Sequence, residues 1–362
     1  MRRIFIAATK QNDGKTTVSL GIIRNLQQKF GKVGFIKPIG QRYLEEEGLK
    51  IDEDSILIEE VCGIKSGLKD MNPIAVEKGF TEKYIAKPDK KAISSQILNS
   101  FRRVAKGQEL VVIEGTGHAG VGSVFDHSNA AVARLLGSKV IIISSGGVGR
   151  PIDEIMLNKA LFEKEGVKVI GVIVNKILPN KFDRISRLVR KGLEEKGVNV
   201  LGVLPYEPML ARPSIGQILD ETGYRVLCGE KYLERSVAKV IVAAMEPPDA
   251  AGYISEDSLM ITPGDRGEMI KIALDCFGDS AKKKLKICGI ILTCGITPEP
   301  PVMDLLEKAD IPVLLSDSDT YDVATSVHDI TVKLRACDKE KIDAAVRLIK
   351  ENVDFKKILN NL

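Results

Sequence analysis

Short apolar runs alternate with amphipathic segments over residues 1–206 of this 362-residue chain. The runs are rich in Val and Ile without strict polar alternation, which indicates strands buried on both faces of a parallel sheet. Helical spacing between the runs predicts crossover helices, and together they predict a doubly wound α/β domain. The predicted strands are Arg3–Ala8, Val33–Ile36, Leu110–Glu114, Lys139–Ser144, Lys168–Val174 and Asn199–Leu204.

A second, smaller α/β domain is predicted beyond a proline-rich stretch. Pro205, Pro208 and Pro213 suit a linker better than a helix or strand. We predict domains at residues 1–208 and 209–335, followed by a C-terminal helix within residues 336–362. In the second domain and the C-terminal segment, the predicted strands are Ser258–Thr262, Leu285–Thr293 and Pro312–Ser316, and the predicted helices are Glu268–Phe277, Pro301–Lys308, Thr320–Asp329 and Asp338–Glu351.

The first predicted strand leads into a polar loop that ends in Gly-Lys-Thr, and a helical segment follows. This context is typical of a phosphate-binding loop, where backbone N–H groups and the helix dipole favour an anion. Lys15 would add a positive charge for the β- and γ-phosphates, and the Thr16 hydroxyl would ligate Mg²⁺. The predicted nucleotide-binding residues of the loop are Thr9, Lys10, Gln11, Asn12, Asp13, Gly14, Lys15, Thr16 and Thr17.

Two positions of the loop depart from the usual phosphate-loop pattern. Thr9 stands where a glycine is expected, five residues before Gly14. Lys10 lies five residues before Lys15, which is similar to the NTPase class with a second lysine at the start of the loop. The alternative is an ordinary strand–helix turn that carries these residue types by chance. The sequence leaves open whether Lys10 faces its own phosphates or those of a partner.

Two charged residues at strand ends are expected near the loop, because the carboxyl ends of parallel strands meet at one edge of the sheet. Glu114 ends a predicted strand, and an acid in this position is a predicted Mg²⁺ ligand. Lys37 follows another strand and is predicted to stabilise charge on a transferred phosphoryl group. The alternatives are a turn-capping acid and a solvated surface lysine.

An acidic cluster precedes the apolar helix predicted at Ser55–Val61. Asp52, Glu53 and Asp54 are either acids favoured by the helix dipole, or one of them completes the shell of a metal ion.

Asn175 closes a predicted strand, together with Lys176. In nucleotide-binding α/β proteins an amide here commonly contacts the edge of the base. The guanine-binding version has an aspartate two residues after the lysine, and Leu178 stands there instead. The residues therefore favour ATP over GTP.

Composition narrows the class of protein without identifying a site. The chain has 53 basic and 49 acidic residues, so its charge predicts neither a nucleic-acid nor a membrane surface. Its six cysteines form no C-x-x-C pair and it has three histidines, so neither disulfides nor a zinc centre are expected. The first strand begins at the N-terminus, which leaves no room for a signal peptide and predicts a cytoplasmic protein.

The motifs together resemble dethiobiotin synthetase over residues 1–206. The domain of that fold at the N-terminus of long bacterial phosphate acetyltransferases resembles the chain more closely, because its loop helix is similar to residues 17–24. The second half resembles the DRTGG domain that follows in those enzymes. The stretches that carry this second resemblance are Arg235-Ser236-Val237, Thr262-Pro263-Gly264-Asp265-Arg266, residues 290–295, Pro312-Val313-Leu314-Leu315 and Asp319-Thr320.

This resemblance implies the two-domain accessory module without the acetyltransferase domain. It implies a homodimer formed through the DRTGG-like domain, and ATP and Mg²⁺ as ligands. Three functions stay open: an ATP-dependent ligase or ATPase that phosphorylates a small carboxylate or carbamate, a nucleotide-sensing regulatory module with a protein partner, and an ATPase switch. The implied ligands of MgATP are Lys15, Thr16, Asp54 and Glu114, with Lys37 assisting phosphoryl transfer and Asn175 contacting adenine.

Overall fold

The computed structural model describes residues 1–46, 48–275 and 287–362. Two predicted elements extend beyond the described residues. These are the helix at Glu268–Phe277, by its last residues Cys276 and Phe277, and the strand at Leu285–Thr293, by its first residues Leu285 and Lys286. The chain divides into two compact units. Unit 1 comprises residues 1–207 and 334–362, and unit 2 comprises residues 208–333.

The helices and strands alternate along most of the chain. The strands are β1 (Arg2–Ala8), β2 (Val33–Ile36), β3 (Ile39–Gly40), β4 (Tyr43–Glu46), β5 (Leu49–Asp52), β6 (Ile74–Ala75), β7 (Leu110–Glu114), β8 (Lys139–Ser145), β9 (Val169–Ile177), β10 (Val200–Pro205), β11 (Arg225–Cys228), β12 (Lys239–Val242), β13 (Ser258–Pro263), β14 (Ile287–Thr293) and β15 (Val313–Leu315). The helices are α1 (Lys15–Gln27), α2 (Glu53–Cys62), α3 (Leu68–Met71), α4 (Phe80–Ala86), α5 (Lys90–Ala105), α6 (Asn129–Leu135), α7 (Arg150–Lys164), α8 (Phe182–Glu194), α9 (Ile215–Thr222), α10 (Pro247–Ala250), α11 (Gly267–Asp275), α12 (Pro300–Lys308), α13 (Thr320–His328), α14 (Lys339–Asn352) and α15 (Phe355–Asn360).

Unit 1 is built on a six-stranded parallel sheet in the order β10-β9-β8-β1-β7-β2. The apolar side chains of β1, β7 and β8 are buried, as expected for strands covered by helices on both faces. The predicted doubly wound α/β fold is confirmed. Because β1 lies between β7 and β8, the loop after β1 opens where ligands bind in such sheets.

Strand β9 is longer than the sequence pattern predicts. It continues to Ile177, and Asn175 pairs with Ser145 of β8 inside the ladder. Asn175 therefore lies within the strand and not after its end, because hydrogen bonds to a neighbouring strand extend an element beyond its apolar run.

Unit 2 contains a five-stranded sheet in the order β11-β15-β14-β13-β12, in which only the edge strand β11 is antiparallel. Met260 and Ile290 face one hydrophobic cluster, and Ile261 and Ile291 face the other. This smaller α/β unit agrees with the predicted class of the second half.

The C-terminal segment packs on unit 1. Helix α14 lies against α1, where Gly21 leaves room for Ile349 and Asn25 Nδ2 donates to the Val346 carbonyl at 3.2 Å. Lys139 Nζ donates to the carbonyl oxygens of Asn361 and Leu362 at 2.8 and 3.0 Å. The amphipathic segment at the end of the chain thus forms a helix that packs on α1.

Within the described part of the chain, no helix combines the length and the apolar composition that crossing a membrane requires.

At the contact between α1 and α14, the effect of a Gly21→Ala substitution on stability should depend on the side chain at position 349. A Cβ at Gly21 would lie 2.4 Å from Ile349 Cγ1. We expect Gly21→Ala to lower the free energy of unfolding by about 1 kcal/mol, because overpacking exceeds the gain in helix propensity. In an Ile349→Ala background the same substitution should be stabilising by about 0.5–1 kcal/mol.

Urea denaturation of the four variants of this cycle measures both effects. Gly31→Ala is the control, since a Cβ at Gly31 meets nothing within 4 Å. A Gly21→Ala effect of the same sign in both backgrounds would contradict the proposed packing constraint.

Candidate functional site

The loop between β1 and α1 turns into the helix through left-handed residues. Gly14 is the N-cap with φ +95°, and Asn12 has φ +63°. Glycine adopts this region without strain, and asparagine tolerates it better than most residues. A Cβ at Gly14 would lie 2.4 Å from Asn175 Nδ2, so the close approach of β9 also requires glycine. The first N–H groups of α1, which begins at Lys15, lie at the end of this loop.

Asp13 braces the loop from inside. Its side chain is fully buried, and its carboxylate accepts hydrogen bonds from Thr9 Oγ1 at 2.7 Å and from the Lys10 backbone N–H at 3.0 Å. Ser145 Oγ, at the end of β8, donates to the other carboxylate oxygen. Thr9 therefore uses its hydroxyl to shape a turn where the usual pattern has a glycine.

Asn175 contacts the loop from the neighbouring strand. Its Nδ2 donates to the Asp13 carbonyl at 2.9 Å, and its Oδ1 accepts from the Lys176 backbone N–H at 2.8 Å. Lys176 Nζ donates to the Asn12 carbonyl at 2.7 Å. The structure thus places the predicted base-contacting amide beneath the loop, and its contact with adenine stays a prediction.

Glu114 and Thr16 meet below the start of α1. Thr16 Oγ1 donates to Glu114 Oε1 at 3.2 Å, while Glu114 Oε2 has no hydrogen-bond partner within 3.5 Å among the described residues. Glu114 is fully buried. Burial, reinforced by the nearby Asp54 carboxylate, raises the pKa of Glu114 to about 7. The nearby Ser19 hydroxyl also interacts with this carboxylate and opposes the rise in its pKa. A divalent cation between the hydroxyl and the carboxylate would supply the missing partner of Oε2, so these residues fit Mg²⁺.

The charges of Lys15 and Lys37 face the same acids. Burial lowers the pKa of Lys15, Glu114 and Asp54 oppose this shift, and the Lys37 ammonium adds to it. The predicted phosphate-binding lysine therefore shares one electrostatic environment with Asp54 and Glu114, the two carboxylates among the predicted metal ligands.

Lys37 is buried in an ion-pair cluster at the end of β2. Its Nζ donates to Asp52 Oδ1 at 2.7 Å and also to Asp54 Oδ2. Burial alone would lower the pKa of Lys37, but the carboxylates of Asp54 and Asp52 outweigh burial and raise the pKa. The side chain consequently stays charged although it is only 6% exposed. Sequence reasoning treated Asp52 as one of three equivalent acids and missed its role as the second anchor of Lys37.

The remaining loop residues lie at the surface or edge of the site. Gln11 is exposed and donates to Gln41 Oε1 at 3.4 Å. Lys10 is exposed. A hydrogen bond from Arg150 lowers the pKa of Glu154 on α7, and the nearby charge of Lys10 adds to this shift. Thr17 is half-buried in the first turn of α1. The structure therefore brings Lys15, Thr16, Lys37, Asp54 and Glu114 together and leaves Lys10 and Gln11 at the rim.

A parallel α/β sheet with a Gly-Lys-Thr loop after its first strand and an acid at the end of the adjacent strand defines the P-loop NTPase class. Comparison with protein families agrees with this class. The family model for an AAA domain matches residues 2–214, and the model for a DRTGG domain matches residues 217–330. The chain belongs to this AAA-domain family and carries a DRTGG domain after it.

Relatives of this chain include phosphate acetyltransferases. The enzyme of Pseudomonas putida is 26% identical over 373 residues, which cover 98% of this chain and 51% of that enzyme. The enzyme of Synechocystis is 26% identical over 369 residues, covering 99% of this chain and 51% of the relative. The chain spans about half the length of these relatives. The predicted resemblance to the N-terminal part of long phosphate acetyltransferases is confirmed.

Solved structures give weaker similarities. A MinC:MinD cell division protein complex from Aquifex aeolicus is 19% identical with a TM-score of 0.39, covering 58% of this chain and 84% of that chain. The CBS and DRTGG domains of the regulatory region of Clostridium perfringens pyrophosphatase are 18% identical with a TM-score of 0.27, covering 42% of this chain and 71% of that chain.

The buried ion pair of Lys37 should contribute strongly to the stability of unit 1. Lys37→Met leaves two buried carboxylates without their cation, and we expect it to lower the free energy of unfolding by about 3–5 kcal/mol. Lys50→Met is the control, because its ion pair with Glu77 is 35% and 49% exposed and should contribute less than about 1 kcal/mol. Chemical denaturation of both variants measures the difference, and equal effects would contradict a structural role for the buried pair.

Proposed function

We propose that unit 1 binds ATP with Mg²⁺ through the loop at residues 9–17. The observation that carries this proposal is the hydrogen bond between Thr16 and Glu114, whose second carboxylate oxygen is buried without a partner within 3.5 Å among the described residues. Thr16, Glu114 and Asp54 would hold the Mg²⁺ ion, which neutralises phosphate charge when bound. Lys15 and the N–H groups at the start of α1 would bind the phosphates.

The nucleotide is proposed to be an adenine nucleotide. Leu178 occupies the position where guanine-binding proteins carry an aspartate. For Asn175 we propose the role of holding the loop beneath the bound nucleotide, because both polar groups of its amide already contact backbone atoms of Asp13 and Lys176. A contact with adenine would have to use the second N–H or the second lone pair of the same amide.

The favoured activity is transfer of the terminal phosphoryl group to water or to a small carboxylate or carbamate. Lys15 and Lys37 would stabilise the negative charge that shifts during an in-line transfer, and the buried carboxylates would keep the ion and the lysines in place. The charged groups that such a reaction requires lie together at the carboxyl edge of the sheet.

The second candidate function is a nucleotide-sensing regulatory module. Its support is the DRTGG domain at residues 217–330 and the match of the whole chain to about half of each phosphate acetyltransferase. In this case unit 2 would form a homodimer and bind a protein partner. Light scattering that finds only a monomer at micromolar concentration would count against the dimer.

Lys15→Ala tests nucleotide binding directly. We expect it to weaken MgATP binding at least about a hundredfold, because a charge-assisted contact with phosphate is lost in a buried site. Isothermal titration calorimetry measures the affinity. Lys29→Ala is the matched control, since Lys29 is exposed just beyond α1 and should leave the affinity unchanged. Unchanged affinity in Lys15→Ala would refute the proposed phosphate site.

ADP formation separates the two candidate functions. An enzyme should form ADP faster when a suitable carboxylate, or a diamine with bicarbonate, is added, because the acceptor takes the phosphoryl group and completes the site. A sensor should turn over slowly and respond to no acceptor. A panel of acceptors in a continuous assay of ADP formation distinguishes these outcomes, with Lys15→Ala as the background.

A further inference from the structure

Asp52 joins three parts of unit 1 through one buried carboxylate. It is the last residue of β5 and the N-cap of α2, and it is only 1% exposed. Oδ1 accepts from Lys37 Nζ at 2.7 Å and from the Asp54 backbone N–H at 3.1 Å. Oδ2 accepts from the backbone N–H groups of Gln41 at 3.1 Å and Arg42 at 3.4 Å.

Asn72 fixes the backbone on both sides of this anchor. Its Nδ2 donates to the Lys37 carbonyl at 2.9 Å, and its Oδ1 accepts from the Asp52 backbone N–H at 3.0 Å. A Cβ at Gly40 would lie 2.7 Å from Asp52 Cβ, so the chain is closely packed around the carboxylate. Asp52 therefore has little freedom to move when a ligand enters the site.

Asp54 is placed differently from Asp52. It lies in the first turn of α2, its Oδ2 accepts from Lys37 Nζ, and its charge also acts to raise the pKa values of Lys15 and Glu114. Lys37 contacts both aspartates, and an ammonium group has three hydrogen-bond donors. With Asp54 as a metal ligand, the contact with Asp52 would still hold Lys37, and the remaining N–H donors of the ammonium group would be available to a phosphate.

We infer that Asp52 is a positioning residue that holds the Lys37 ammonium ready for the terminal phosphate of a nucleoside triphosphate. The inference rests on the proposed binding of MgATP. A diphosphate lacks the group that Lys37 would contact, so the anchor would favour the binding of ATP over that of ADP. A structural role as the cap of α2 alone would affect both nucleotides equally.

Asp52→Asn tests these roles, because the amide oxygen can still cap α2 while the charge that holds Lys37 is lost. The NH₂ group of the asparagine would face donors that Asp52 accepts from, so a general loosening of the site would lower the affinity for both nucleotides. We expect the ratio of ATP affinity to ADP affinity, measured by calorimetry with Mg²⁺, to fall about tenfold. The ADP affinity should change by less than about threefold. Lys37→Met should lower the ratio as well, and the double variant should be no lower than Lys37→Met alone.

Asp89→Asn is the matched control. Asp89 caps α5 by accepting from the Ala92 backbone N–H at 2.9 Å and is exposed, so its substitution should leave both affinities unchanged. If Asp52→Asn does not fold, Asn72→Ala loosens the same anchor and should show the same loss of ATP preference.

Equal losses for ATP and ADP, or additive losses in the double variant, would overturn the positioning role. An unsubstituted chain that binds neither nucleotide refutes the proposed function, and the role of Asp52 with it. Binding of ATP by the unsubstituted chain together with an unchanged ATP preference in Asp52→Asn refutes only the role of Asp52.

Discussion

The balance of buried charge around Lys37 is the constraint on which the site depends. An isolated ammonium group buried at this depth would cost several kcal/mol, and the carboxylates of Asp52 and Asp54 compensate it. Burial and, after it, the charge of Asp54 raise the pKa of Glu114. The Glu114 carboxylate in turn opposes the lowering of the Lys15 pKa by burial. No member of this cluster can change without altering its neighbours. Lys37 and Glu114 lie at the carboxyl ends of the neighbouring parallel strands β2 and β7, whereas Asp52 and Asp54 reach the cluster from the β4–β5 hairpin and the start of α2.

In this phosphate loop, hydrogen bonds from side chains hold the turn that glycine forms in the usual pattern. Asp13 collects hydrogen bonds from Thr9, Lys10 and Ser145, and Asn175 supports the loop next to Gly14. The shape of the loop therefore depends on strands β8 and β9 as well as on its own sequence. This dependence explains why a threonine is tolerated where a glycine is expected.

The C-terminal segment shows how a distant part of the chain supports the same site. Helix α14 packs on α1, the helix that begins at Lys15, and the absence of a side chain at Gly21 allows the close contact with Ile349. The amphipathic pattern predicts a helix that buries one face. The pattern does not predict which surface packs against that apolar face, because the hydrophobic effect is not directional.

The sequence by itself determined the parallel strands, the phosphate loop and the charged residues that follow the strands, because apolar runs and turn residues act over short distances. Only the tertiary structure decided which of these residues meet. Lys37 and Asp52 are 15 positions apart, and Asn175 and Asp13 are 162 apart. The hydrophobic period predicts that a residue is buried and which residues of the same element lie on its face. It does not predict which side chain of another element the residue contacts. For this reason the sequence predicts an acidic cluster at residues 52–54 near the site, and the family resemblance singles out Asp54, whereas the anchoring by Asp52 and the contacts of the Asn175 amide required the fold.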